Sequence, residues 1–240
     1  MKKNILFGMM ILAAGPLLAA DSSPKDDVKA AATALGDQAN YSWHTSVESP
    51  NGGGRFNGPT DSKTEKGGYT MLSMTRGDNT IEAVLKGTNG AIKTPDNGWQ
   101  SLAEATQDNG GGFNRTMFLA RSLQDYKTPD LQAAELADAA QELKSDTNGI
   151  SGDLTEDGAK ALLSFRPRGG DGGGPAVSDA KGSVTFWIKD GQLVKYQFHV
   201  SGTVSFNGND RDIDRTTTVE IKDVGTTKIE VPDDAQKKLQ

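Results

Sequence analysis

Alternation of apolar and polar residues is strongest between residues 183 and 231. Val184, Phe186 and Ile188 alternate with Ser183, Thr185, Trp187 and Lys189. Beyond Asp190-Gly191, Val194, Tyr196, Phe198, Val200, Gly202, Val204 and Phe206 share one parity, and Lys195, Gln197, His199, Ser201, Thr203 and Ser205 share the other. Beyond Asn207-Gly208, Ile213, Thr217, Val219 and Ile221 are set against Asp214, Thr216, Thr218, Glu220 and Lys222. A period of two puts alternate side chains on opposite faces of a strand. Asp-Gly and Asn-Gly supply the positive φ angles of tight hairpins. The pattern predicts a meander of long antiparallel strands with one apolar face, which something else in the chain must cover.

The remaining segments supply that cover. Pro24 to Ala39 reads as a helix with Asp26 and Asp27 in its first turn and a stripe of Val28, Ala31, Ala32, Leu35 and Ala39. Tyr41, Trp43, Thr45 and Val47 alternate with Ser42, His44 and Ser46 as a first strand. Residues 51 to 68 read as loop, broken by Gly52-Gly53-Gly54 and Gly58-Pro59. Strands follow at 69–74, 80–86 and 91–93, then a turn at Asn97-Gly98-Trp99. Helices are predicted over 101–105, 114–123 and 129–144, a strand over 150–154, and a Thr155-capped helix to about Phe165. Residues 107–112 and 166–174 are glycine-rich linkers. After the meander, Thr226 to Val231 reads as a last strand and Asp233 to Leu239 as a closing helix. The expected fold class is α+β: a curved antiparallel sheet covered on one face by helices. It forms a single domain over 21–240, with a helical insert at about 101–165.

Composition narrows the function classes. There is no cysteine among the 240 residues, which excludes disulfides, thiol catalysis and cysteine-ligated metal. The first twenty residues have the layout of a signal peptide: Lys2 and Lys3, an apolar run from Ile5 to Leu18, then Ala19-Ala20. The run is short for a membrane span. Removing the leader takes the basic count from 26 to 24 against 32 acids, and the formal charge from −6 to −8. No basic run offers a grip to nucleic acid, so no nucleic-acid partner is expected.

Candidate chemistry is sparse. His44 and His199 fall on the polar parity of their strands with no acid at a fixed short spacing, so exposed strand positions outweigh a metal site. In the run NGNDRDIDR, Asp210, Asp212 and Asp214 sit at positions 1, 3 and 5 of a conceivable calcium loop. Position 6 is Arg215 and position 12 is Ile221, where glycine and glutamate are required. Cross-strand Asp–Arg pairing is the expectation there, with calcium the lesser alternative. No phosphate-binding loop, GxSxG or HExxH string occurs. No catalytic residue, metal or cofactor is assigned, although a triad assembled in space stays open. Trp187 lies on the polar parity, either as an exposed aromatic or under a helix or loop.

The leader, the opening helix, the long strands and the helical insert resemble the LolA/LppX-type carrier fold. The runs SGDLTEDGAKALL, KGSVTFWIKDGQLVKYQFHV and DRDIDRTTTVEIKDVGTTKIEVP also resemble a group of uncharacterised exported bacterial proteins. The carrier resemblance implies a half-barrel closed by helices around an apolar cavity. It further implies a non-enzymatic, exported, periplasmic or secreted protein that holds a lipid or lipoprotein acyl chain. The family carries no short ligand signature. The expected cavity lining is therefore read from strand parity: Tyr41, Trp43, Val47, Tyr69, Met71, Tyr196, Phe198 and Val200. Two other classes remain. One is an envelope adaptor, working through a protein partner, whose same residues pack directly against Val28, Leu35, Leu119 and Leu123. The other is a hydrolase with a dispersed site.

Export makes the first testable expectation. N-terminal sequencing of envelope material should show a chain starting near Asp21. Membrane-bound protein that retains Met1 would overturn it.

Overall fold

A computed structural model describes residues 22–50, 58–107, 115–164, 175–206 and 208–239. The expected leader, the glycine-rich runs at 51–57 and 108–114, and the linker at 166–174 lie outside the described residues. All the named strands belong to one antiparallel sheet. In chain order they are β1 (Asn40–Glu48), β2 (Thr60–Glu65), β3 (Thr70–Arg76), β4 (Asn79–Lys86), β5 (Asn89–Lys93), β6 (Trp99–Ser101), β7 (Lys144–Asp146), β8 (Gly149–Asp153), β9 (Ala176–Lys189), β10 (Gln192–Phe206) and β11 (Asn209–Lys222). Their order across the sheet is β6-β5-β4-β3-β2-β1-β11-β10-β9-β8-β7. The sheet is curved and unclosed, so the fold is an α+β half-barrel.

The terminal meander follows its sequence pattern. The β9–β10 hairpin turns through Asp190 and Gly191 at φ 51° and 76°, the positive angles that its two-residue loop demands. Phe198 and Val200 are buried, and Gln197 and His199 point the other way. One position departs from the expected parity. A register shift between Leu193 and Lys195 buries Leu193 and leaves Val194 37% exposed. A bulge puts two residues opposite one and reverses parity locally.

The helices are α1 (Pro24–Gly36), α2 (Leu102–Ala105), α3 (Arg115–Gln124), α4 (Pro129–Ala139), α5 (Glu156–Leu163) and α6 (Asp233–Lys238). Helix α1 opens with a capping box between Ser23 and Asp26 and has Pro24 in its first turn, so it begins where its chemistry requires. Helix α5 is capped by Thr155, whose hydroxyl accepts from the Gly158 amide at 3.0 Å. Two apolar clusters fill the inner face. One joins α1, α4 and α5 to β1 and β8–β11. The other joins α2 and α3 to β3, β4 and β5. Tyr126 packs against both.

Several expectations need correction. Strand β2 lies inside the stretch read as loop, because its inward residues are Ser62 and Thr64, buried but polar. Trp99 opens a short strand, β6, instead of completing a turn. Helix α4 stops at Ala139; of the rest of the span read as helix, Ala140 forms an isolated bridge with Leu154 and Lys144 opens β7. Residues 226–231, read as a last strand, form none. They lead to α6, which packs against β5 and β6 from the outer side. There Lys63 Nζ donates to the Lys228 carbonyl at 3.0 Å and Asn89 Nδ2 donates to the Leu239 carbonyl at 3.1 Å. Val84, Ala91 and Ala235 are buried yet belong to neither inner cluster, so the outer face of this half of the sheet is covered too.

The parity of β10 is tested by paired substitutions. Phe198→Ala should cost about 3–5 kcal/mol of stability. His199→Ala, on the outer face, should cost less than about 1 kcal/mol. Equal shifts in urea melts would contradict the register.

Candidate functional site

The site is built where α3, α4 and α5 meet over the inner face. Cross-strand register sets its base. Trp43 faces Ser62, which faces Leu72, which faces Ala83 and then Ile92, so these side chains form one inward row. The next inward row carries Tyr196, Val219 and Thr45. Tyr41 and Trp43 hold their rings 5.5 Å apart, and Phe186 and Tyr196 hold theirs 6.3 Å apart.

Helix α4 is fastened to this aromatic wall by hydroxyls. Tyr41 Oη donates to Asp130 Oδ1 at 2.7 Å, and Tyr196 Oη donates to Gln132 Oε1 at 2.6 Å. Both acceptors lie in the first turn of α4. Burial pushes the Tyr41 hydroxyl well above the usual phenol range, with the Asp130 hydrogen bond adding to it. Burial raises Tyr126 and Tyr196 in the same direction. Removing a phenolate from water is costly, and only the neutral hydroxyl can donate to Asp130 and Gln132.

Beside this tether lies a cleft of about 990 Å³. Its apolar lining is Tyr126, Leu136, Ala139, Ala161, Leu162 and Val177. Charged residues of both signs stand on it as well: Arg121, Lys127 and Lys160 with Asp125, Glu135 and Asp157. Lys127 pairs with Glu135, and Lys160 pairs with Glu156, which leaves the charges locally balanced. Apolar walls with charges of both signs suit an amphiphile better than a free ion.

The residues expected to line a cavity are distributed differently. Tyr41, Trp43, Tyr196, Phe198 and Val200 are in the main buried cluster with Val28 and Leu35. Val47 is half-buried opposite Thr217. Tyr69 and Met71 are on the outer side, because β3 turns Leu72 and Met74 inward. Lys86 Nζ stands 4.7 Å over the Tyr69 ring. Met71 instead lines a second cavity of about 450 Å³ on the outer face, beside His44 and Asp61, whose Nδ1 and Oδ1 are 2.7 Å apart. None of the eight lines the larger cleft. Sequence reasoning missed the cleft's own residues, which read as ordinary helix faces. The one available signal was that Ala139, Ala161 and Leu162 fall beside each helix's deeply buried stripe.

The other candidates resolve simply. His199 Nε2 meets Asp214 Oδ1 at 2.9 Å. Asp212 accepts from the Thr203 hydroxyl at 2.8 Å, and Asp210 accepts from Ser205. The acids thus pair with β10 hydroxyls and a histidine, not with arginines. Arg215 points inward. Trp187 is half-buried on the outer face, with Lys195 Nζ 4.9 Å over its ring. Among the described residues no group of three or more His, Cys, Asp or Glu is placed to hold a metal, and no helix is long and apolar enough to cross a membrane.

Comparison with known proteins gives resemblance of layout. Lipoprotein LppX of Mycobacterium tuberculosis is 11% identical, with a TM-score of 0.44 over 88% of this chain and 99% of that one. LprF of Mycobacterium bovis is 10% identical, with a TM-score of 0.40 over 88% and 97%. A LolA superfamily protein of Nitrosomonas europaea is 8% identical, with a TM-score of 0.32 over 87% and 96%. No family model and no curated protein matches the chain. Likeness at this level concerns the course of the chain and says nothing of a ligand.

The buried tyrosines predict an alkaline limit. Their folded-state pKa values lie above the unfolded value, so their contribution is constant below about pH 9. Above about pH 10 the unfolded chain loses protons that the folded chain keeps, and stability falls. In an absorbance titration, the phenolate signal of three of the four tyrosines should appear only with unfolding. Smooth ionisation of all four in the folded protein would contradict their burial.

Proposed function

We propose that this is an exported, non-enzymatic binding protein that holds an apolar moiety, a lipid or a lipoprotein acyl chain, in the cleft between α3, α4 and α5. The cleft carries the reading. Its volume of about 990 Å³ lies at the upper end of the range for small-molecule sites, about 300–1,000 Å³. It adjoins the inner face of a half-barrel whose strands already bury their apolar side. The cargo enters beside the helices, and the strand residues Tyr41, Trp43, Tyr196, Phe198 and Val200 support the walls from below. Val47, Tyr69 and Met71 have no part in it. Export follows from the leader, and the acidic mature chain suits a protein that stays in solution. An envelope adaptor is the competing reading, favoured by the close packing of those five strand residues in the core.

A fluorescent fatty acid titrated against mature protein should bind saturably and be displaced by unlabelled lipid. Ala161 is exposed and lines the cleft, so Ala161→Trp should fill the space while the fold survives. Binding should weaken roughly tenfold or more, the scale of about 1.4 kcal/mol of lost contact. Unchanged affinity in Ala161→Trp would exclude the cleft as the site. Absence of saturable binding in the wild type would leave the adaptor reading.

A further inference from the structure

On the inner face of the half-barrel, Arg215 has no counter-charge among the described residues. Arg215 is opposite Val200 in the β10–β11 register, and Val200 is fully buried. Thr216 and Thr217, the next residues of β11, pair with Glu48 and Val47 at the end of β1. Arg215 Nη2 donates to the carbonyl oxygen of Leu162, in the last turn of α5, at 2.7 Å. Its Nε–H is buried and has no hydrogen-bond partner. Among the described residues no carboxylate pairs with it.

A guanidinium offers five N–H donors in a planar fork. Burial lowers the pKa of Arg215, and no acid offsets that effect. A half-buried cation with a single carbonyl partner and a buried, unpartnered Nε is an unusual arrangement, because desolvation is normally balanced by an opposite charge. A basic side chain at a helix C-terminus satisfies an orphan carbonyl, and this accounts for Nη2. It leaves Nε unexplained. Leu162 supplies the link to the cleft: its carbonyl receives the arginine, and the residue itself lines the cleft wall.

We infer that Arg215 anchors the anionic end of an amphiphile whose apolar part occupies the cleft. The inference rests on the cleft reading and adds the ligand's chemical class: an acid, carboxylate or phosphate, on an apolar chain. Such groups match the guanidinium fork with two parallel hydrogen bonds. In the unliganded protein the fork holds α5 by Leu162. In the complex the acid supplies the missing charge.

The test compares three probes of equal chain length on mature protein: a fatty acid, the corresponding fatty alcohol and a lysophosphatidic acid. The wild type should favour at least one acid over the alcohol by roughly 10- to 100-fold, as expected for hydrogen bonds to a charged group. That preference should weaken as salt rises. The preferred acid tells carboxylate from phosphate. Arg215→Met should bring the ratio of acid to alcohol close to one, and Arg215→Lys should restore part of it. Equal affinity of wild type for acids and alcohol overturns the anchor and leaves the cleft reading standing. An Arg215→Met variant that melts earlier but keeps the wild-type ratio also overturns it, since the arginine then serves only α5. Failure of all three probes to bind saturably removes the cleft reading, and the anchor with it. The wild-type comparison decides the matter even if no variant folds.

Discussion

Pairing between β1 and β11, from Ser42 opposite Lys222 to Glu48 opposite Thr216, is the constraint on which the architecture depends. It joins β1–β6, from the first part of the chain, to β7–β11, from the second. Without it there are two sheets, each with an apolar face that its own helices only partly cover. With it, α1, packed on β9, β10 and α4, shares one buried cluster with Tyr41 and Trp43 of β1 as well as with Tyr196 and Phe198 of β10. The register matters as much as the pairing. A slip of one residue would turn Trp43 and Val219 outward and His44 and Glu220 inward. Burying that histidine and glutamate would be far more costly than exposing the apolar pair.

The helices are then placed by a few specific contacts on a general apolar surface. Two tyrosine hydroxyls fix the start of α4, through Asp130 and Gln132. The end of α5 is fixed by Arg215 through Leu162. Helices α4 and α5 approach closely at Ala139 and Gly158, and the cleft opens beside that contact. Its walls come mostly from half-buried and exposed residues at the margins of each helix's buried stripe, with Leu136 the buried exception. The outer face follows the opposite rule. Under α6 it is closed by small apolar side chains, and over β9–β11 it presents hydroxyls, acids and His199.

Much of this was legible in the residues. The β9–β11 meander, its inward face and the Asp190-Gly191 turn follow from alternation and turn chemistry, which are local. The opening helix follows from Ser23, Pro24, Asp26 and its stripe. Strand β2 was not legible, because its buried residues Ser62 and Thr64 carry no hydrophobic signal; Trp43 and Leu72 beside Ser62, and Tyr41 beside Thr64, supply the apolar contact. Residues 226–231 alternate like a strand but cannot pair with the preceding strand β11, which already has β1 and β10 on its two sides. The placement of Tyr69 and Met71 failed for a related reason. In β3 both parities are apolar, Met71 against Leu72 and Met74, and only the unseen partner strands decide which faces inward. The cleft lies at the junction of three helices distant in sequence, and no single helix pattern describes a gap.

Native mass spectrometry of the mature protein, purified from its own envelope fraction without added ligand, tests the central claim most directly. The expected result is a population carrying one bound molecule with the mass of an anionic amphiphile, released on unfolding and strongly depleted in Ala161→Trp. Protein that always appears at its bare mass, and stays so after incubation with envelope lipid, would contradict it.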